Sequence, residues 1–342
     1  MEPGLYTKNE ILSQPEAWAD ALDQVEHRKA PLRKILDGDT QQVLFTGCGS
    51  TYYLALAAAS LFQEMTGRIA RAVPASVLLL DSRSVLTSGK SMLVAISRSG
   101  STTETVRAVE HFKAHSRGEV LAITNYADQP LAGLADEAVI IEKGQEQSVA
   151  QTRSFASMYV ASTALAMLAA GREESRASMY LLPRAGEMLL AQYHPLAREV
   201  GRNRTIDSFF FLGSATRYGL ASEASLKMKE MTLSNSEPFH FLEFRHGPMS
   251  MIDDHTLVVG LLSEKNDRHE RAVLDEMREK GAQTLELSES RGEVSFNSGI
   301  AEEVRGVLYL PVLQLLAFYR SLEKGLNPDC PKNLAAVVKL SF

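Results

Sequence analysis

The sequence predicts an α/β protein made of two tandem domains, each a doubly wound parallel sheet covered by helices. Three observations carry that reading. Strand-like apolar runs alternate with amphipathic helical stretches along the whole chain. The second half repeats the order of the first. In both halves the opening strand ends in a small-residue turn that runs straight into a helix: Gly47-Cys48-Gly49-Ser50-Thr51 and Gly213-Ser214-Ala215-Thr216. The expected division is an N-terminal helical segment (1–30), a first, phosphate-binding domain (31–175), a helical linker (176–204), and a second domain with a C-terminal tail (205–342).

In the first half, Val43–Thr46, Ala70–Pro74, Met92–Ile96, Val120–Thr124 and Ala138–Ile141 read as strands, and Leu54–Glu64, Thr103–Ala114 and Phe155–Leu168 as helices. In the second, Phe209–Leu212, Thr256–Leu262, Thr284–Leu287 and Val307–Leu310 read as strands. Leu220–Met231, Asp267–Lys280 and Leu313–Glu323 read as helices.

Composition narrows the function. The 342 residues are 45% hydrophobic and 23% charged, as in an ordinary globular protein. A net charge of −6 with no Lys/Arg run argues against a nucleic-acid surface. Two cysteines, Cys48 and Cys330, form neither a disulfide framework nor a metal-ligand spacing, which fits a reducing, cytoplasmic setting. His111 and His115 share a helix face but lack an HExxH context, so they read as surface residues. No metal and no cofactor is expected. No apolar stretch is long enough to span a bilayer, and the polar, acidic N-terminus does not resemble a signal peptide.

The most informative segment is Val94-Ala95-Ile96-Ser97-Arg98-Ser99-Gly100-Ser101-Thr102-Thr103-Glu104-Thr105, a buried strand entering a hydroxyl-rich turn and then a helix. The first N–H groups of a helix lack partners and carry the positive end of its dipole. Four hydroxyls around one glycine at that point suit a phosphate monoester. Simple N-capping is the rival explanation for such residues. The second half has Leu262-Ser263-Glu264-Lys265-Asn266 instead, where Glu264 would repel a phosphate. Only the first half is therefore expected to bind the anion.

Acid–base candidates lie in the second half. Glu223, Lys227 and Glu230 fall at i, i+4 and i+7 on one helix face. Glu223 and Lys227 also fit an exposed ion pair, whereas Glu230 ends the helix beside a polar and aromatic loop. His246, before Gly247-Pro248, is either a structural loop histidine or, paired with a carboxylate, a general acid.

These segments resemble the sugar isomerase (SIS) family. The resemblance is carried by Cys48-Gly49-Ser50-Thr51, Ser97-Arg98-Ser99-Gly100, Glu146-Gln147-Ser148-Val149-Ala150, Glu223–Glu230 and Glu243–Pro248. It runs from Glu10 to Ala335 and is nearest to the isomerase half of glutamine–fructose-6-phosphate amidotransferase. It implies flavodoxin-like SIS domains, with Thr51, Ser97, Ser99 and Thr102 on the sugar phosphate. Gly49, Ser50, Val149, Gln151 and Ala335 would touch the sugar, with Gln151 replacing the family's serine. Glu230 takes the position of the base that moves a proton between C1 and C2. His246 takes that of the ring-opening histidine, which in the family serves the neighbouring subunit, so a homodimer with shared active sites is implied.

Two departures shape the expected function. No glutaminase domain is expected, and by the resemblance Ala336 stands where the synthase has its Schiff-base lysine. Lys339 lies three residues further on and would face the other way in an extended segment. The expectation is an amino-sugar-phosphate aldose–ketose isomerase, foremost a glucosamine-6-phosphate deaminase producing fructose-6-phosphate and ammonia. The alternatives are a fructosamine-6-phosphate deglycase, a synthase-type subunit with a separate glutaminase, and, more distantly, a non-catalytic sugar-phosphate sensor. Arg98 and Arg153 are the cations that would recognise an amino-acid carboxylate or balance the phosphate.

Overall fold

The computed structural model describes residues 2–115 and 118–340. Its contacts divide the chain into two compact units, each drawn from separated segments. One comprises Ser13–Glu146, Gln151–Pro183 and Ala335–Phe342; the other comprises Met1–Leu12, Gln147–Ala150 and Arg184–Leu334.

The first unit holds five strands: β1 (Gln42–Gly47), β2 (Ala70–Pro74), β3 (Ser91–Ser97), β4 (Val120–Thr124) and β5 (Glu137–Ile140). They form one parallel sheet in the order β2-β1-β3-β4-β5. β1, β3 and β4 are buried along their whole length, as strands covered on both faces must be. Alternate residues therefore serve opposite faces. Leu44, Leu93, Ala95 and Ala122 pack with Ala108, Val109 and Phe112 of the helix Thr103–His115. On the other face, Phe45 meets Phe62 at a ring separation of 5.7 Å. The helix Ser50–Thr66 that carries Phe62 packs on the helix Arg153–Ala169.

The second unit repeats the plan with β6 (Ser208–Leu212), β7 (Asn235–Phe239), β8 (Thr256–Leu261), β9 (Gln283–Ser288) and β10 (Val294–Ser295), all parallel, in the order β10-β9-β8-β6-β7. The helices Thr216–Thr232, Asp267–Glu279 and Leu310–Glu323 cover it. The predicted α/β class and parallel sheets are thus observed in both halves.

Three local features differ from the sequence expectation. Val307–Leu310 is not a strand: Gly306–Tyr309 is a 3₁₀ turn leading into the helix Leu310–Glu323. That helix is buried all round from Leu310 to Ser321, so its apolar run lacks the one-sided period that would separate it from a strand. Pro311, in its first turn, supplies a φ already suited to a helix. β7 went unrecognised because Asn-Ser-Glu-Pro-Phe is polar and contains Pro238, which only an edge strand tolerates. The C-terminal tail, assigned by sequence to the second domain, makes its contacts in the first unit: the Thr103 N–H donates to Val338 O at 3.4 Å.

Candidate active site

In a doubly wound sheet, ligands bind beyond the carboxyl ends of the strands where the strand order reverses. In the first unit that point lies between β1 and β3. The turn after β1 is tightly determined. A Cβ on Gly47 would lie 2.6–2.8 Å from Thr51, and Gly49 has φ +56°, with no atom within 4 Å of where its Cβ would stand. Thr51 Oγ1 accepts from the Cys48 N–H at 2.9 Å and donates to Cys48 O at 3.0 Å, which pins the start of the helix. Burial pushes the Cys48 thiol up, so it stays neutral beside an anion.

The turn after β3 gathers the predicted hydroxyls. Thr102 Oγ1 lies 3.4 Å from both Ser97 Oγ and Ser99 Oγ. The N–H groups of Gly100 and Ser101 donate to Ser97 Oγ and Ser99 Oγ, each at 3.2 Å. Gly100 has φ +63°, and a Cβ there would lie 2.8 Å from the Cβ of Gln129, so glycine is required twice over. Hydroxyl pairs at 3.4 Å are weakly bonded and can turn to an incoming phosphate. Among the described residues, no protein group accepts from the N–H of Ser99 or Thr102. Converging donors at a helix N-terminus are an arrangement suited to an anion.

The loop carrying the predicted sugar contacts follows β5. Val149 donates its N–H to Asp329 O at 3.0 Å, and Gln151 keeps a buried side-chain oxygen without a hydrogen-bond partner, a group suited to a ligand donor. The tail supplies Ala335, which is exposed, and the neighbouring Ala336 carbonyl accepts from Arg98 at 2.8 Å. Lys339 is exposed. Arg98 and Arg153 are engaged internally, Arg98 also facing Glu146 and Arg153 donating to Ser13 Oγ and Gln145 O.

The second unit contains the acid–base cluster. Glu223, Lys227 and Glu230 share one side of the helix Thr216–Thr232, as their spacing requires, but that side is not the exposed face of an ordinary surface ion pair. Lys227 is 2% exposed, with its Nζ 3.3 Å from Glu223 Oε1 and hydrogen-bonded to Glu230 Oε2. Burial opposes the ammonium charge, but the two carboxylates outweigh it and raise the Lys227 pKa. Glu223 is as buried as the lysine, whereas 21% of the Glu230 side chain stays exposed. One Glu230 oxygen is thus held while the group remains reachable, an arrangement suited to proton transfer. His246, after the short helix Phe241–Phe244, donates its backbone N–H to Glu243 O at 2.9 Å and leaves its ring exposed. Among the described residues, no hydrogen bond joins it to Glu230.

Sequence reasoning did not single out Glu146 or Glu10. Glu10 accepts from the N–H groups of Gln147 and Ser148 at 2.6 and 3.2 Å and so fixes one side of the sugar loop. Its place at the start of the stretch that carries the family resemblance is the signal that points to it.

Comparison with known proteins identifies the family. The SIS domain profile matches residues 39–168 and 204–294, and the chain belongs to the SIS family. Among its relatives, a glutamine–fructose-6-phosphate aminotransferase of Methanothermobacter thermautotrophicus is 27% identical over 97% of the chain and 57% of its own length. One of Halobacterium salinarum is 30% identical over 97% and 59%. The chain thus spans little more than half the length of these curated relatives. A crystal structure of glucosamine-6-phosphate deaminase from Thermotoga maritima superposes with a TM-score of 0.82 at 27% identity, covering 98% of this chain and 100% of that one. The Escherichia coli tagatose-6-phosphate ketose/aldose isomerase shares the fold, with a TM-score of 0.86 at 24% identity, over 97% and 96% of the two chains. The protein is accordingly an enzyme of the SIS phosphosugar-isomerase kind. Among the described residues, no helix is long and apolar enough to cross a membrane.

Proposed function

We propose that the enzyme deaminates an amino-sugar phosphate, converting glucosamine-6-phosphate and water to fructose-6-phosphate and ammonia. The observation that carries this reading is the partly exposed Glu230, held by a buried lysine that Glu223 clasps from the other side. In this scheme the hydroxyls of Thr51, Ser97, Ser99 and Thr102 bind the phosphate, and His246 passes the proton that opens the ring. Glu230 removes the C2 proton and returns it to C1. The resulting C2 imine adds water and releases ammonia, leaving the ketose. The charged Lys227 stabilises the Glu230 carboxylate before it accepts the proton.

One point favours release of an amine over its capture, and two favour ammonia over an amino acid as the amine released. The amine is already on the substrate, so the lysine absent at Ala336 is not needed to capture a ketose. Arg98 and Arg153, the cations available to an amino-acid carboxylate, already have internal partners. The Thermotoga maritima neighbour, matched over its full length, is described as a deaminase. By family resemblance the working form is a homodimer with His246 serving the partner subunit, in a cytoplasmic setting. The names of the sequence relatives favour a second reading, a synthase-type subunit fed by a separate glutaminase.

Incubation with glucosamine-6-phosphate and with fructose–amino-acid 6-phosphates, assaying ammonia against free amino acid, separates the readings. Ammonia from the first substrate alone is the expected result. Release of an amino acid, or hexosamine formation only with glutamine and a partner protein, would overturn the assignment.

A further inference from the structure

Arg98 lies inside the phosphate loop, yet its side chain is spent on other segments. The residue is 7% exposed. Its guanidinium donates to Ala336 O at 2.8 Å and stands 3.7 Å from Glu146 Oε2, while its own carbonyl accepts from the Asn125 N–H at 3.2 Å and from Thr124 Oγ1 at 3.3 Å. The Glu146 side chain has no exposed surface. It accepts from the Thr152 N–H at 2.8 Å, from Thr152 Oγ1 at 2.9 Å, from the Ser154 N–H at 3.1 Å and from Ser154 Oγ. Thr152 immediately precedes the helix Arg153–Ala169, gives its hydroxyl to Glu146 rather than to the helix, and follows Gln151 directly. The tail is tied to the same loop again: Thr103 donates its N–H to Val338 O at 3.4 Å, and Leu340 donates its N–H to Thr103 Oγ1 at 3.1 Å.

One buried guanidinium therefore joins three segments distant in sequence: the phosphate loop, the turn at Gln151–Ser154, and the tail. A planar, permanently charged fork suits such a joint, and a lysine would reproduce its charge but not its geometry. We propose that Arg98 is a positioning residue, setting the phosphate loop, that turn and the tail in one register so that a bound sugar phosphate is presented to the chemistry in a fixed orientation. It acts through Glu146 and the Ala336 carbonyl, not on the substrate. The proposal deepens the deaminase reading and rests on it for its kinetic arm only.

The test compares Arg98→Ala, Arg98→Lys and Glu146→Gln with the parent protein. It measures kcat for ammonia release from glucosamine-6-phosphate, the Kd for inorganic phosphate, and hydrogen exchange at the Thr103 and Leu340 amides. Misplacing a bound substrate by about an ångström costs on the order of a hundredfold in rate. Arg98→Ala is expected to lower kcat about 10- to 100-fold, to leave the phosphate Kd within about threefold, and to speed exchange at both amides. Arg98→Lys should recover only part of the loss. Glu146→Gln, which keeps the shape, should move the same readouts in the same direction by less, and with Arg98→Lys it carries the test if the alanine variant does not fold. Unchanged kcat and unchanged exchange would overturn the proposal. Phosphate affinity falling as far as kcat would also overturn it, by making Arg98 a direct phosphate ligand. If the parent protein releases no ammonia, the deaminase reading fails while the exchange data still decide the role of Arg98.

Discussion

The turns after β1 and after β6 have the same backbone, in two units of opposite chemistry. Gly49 has φ 56° and ψ −125°, and Ala215 in the second turn has φ 52° and ψ −124°. Each turn opens a 17-residue helix, and each helix closes on a left-handed residue, Gly67 or Leu233. Gly47 and Gly213 are both pressed against the first turn of the following helix, where any Cβ would clash. The chemistry diverges after the next central strands, β3 and β8: in the first unit the donors there are hydroxyls and N–H groups only loosely satisfied by each other. In the second they are consumed. The Ser263 N–H and Oγ donate to Glu270 Oε2 at 2.6 and 3.0 Å. The Glu264 N–H donates to Glu302 Oε1 at 3.1 Å, and Arg217 pairs with the same carboxylate at 3.0 Å. The second unit thus sets its own carboxylates at the turn that corresponds to the hydroxyl-rich one of the first. A repeated fold can leave the donors of one copy open and close those of the other with its own side chains.

The comparison can be broken most severely at Glu230. Glu230→Gln keeps the shape and removes the base, and should lower turnover by a factor of about 10² to 10⁴ while phosphate binding persists. Normal turnover would end the mechanism proposed here.

Moving a carboxylate into the first unit's loop tests the comparison itself. Ser99→Glu should abolish inorganic phosphate binding measured by calorimetry, because it gives the loop the anion that Glu270 gives its counterpart. Ser99→Ala removes one hydroxyl and should weaken binding by only about fivefold, the worth of one ordinary hydrogen bond.

The second unit's seal should show in the pH dependence of stability. Burial raises the Glu270 pKa, against smaller opposing effects from Ser263 and Arg217. A carboxyl that holds its proton more tightly when folded loses stability as pH rises from its unfolded pKa, 4.5, through its raised native value. Glu270→Gln should flatten that decline, so the variant gains on the parent as pH rises above 4.5 in urea titrations. A parallel pair of stability curves would remove Glu270 from the account. The smallest effect expected is at Cys48, whose half-buried thiol, with its pKa raised by burial, should react with iodoacetamide at pH 8 more slowly than the exposed Cys330.

Much of this was legible in the sequence because it is local. A buried apolar strand followed by Ser-Arg-Ser-Gly-Ser-Thr-Thr defines its own turn and helix start, and the missing glycine at Ser263–Asn266 marks the odd half. Burial was less legible. Glu223 and Lys227 at i, i+4 read identically on a wet face and in a dry one, and only the packing around Lys227 separates the two. Apolarity on every side hid the helix Leu310–Glu323, and polarity hid the edge strand β7. The tail has no period at all, so nothing in its sequence announces that Ala336 meets Arg98. Such contacts depend on which segments the fold brings together, and that is decided by the sheets rather than by neighbours in the chain.

The interleaving of the two units has a practical consequence for anyone dividing the gene. A cut in the linker around residue 190 would leave the first unit without residues 335–342 and the second without 1–12 and 147–150. Those lost pieces include the Glu10 carboxylate that accepts from Gln147 and Ser148, and Thr7, whose N–H and hydroxyl both donate to Asp329 at 2.8 Å. The halves look like modules on paper, but such a cut separates segments that belong to one unit.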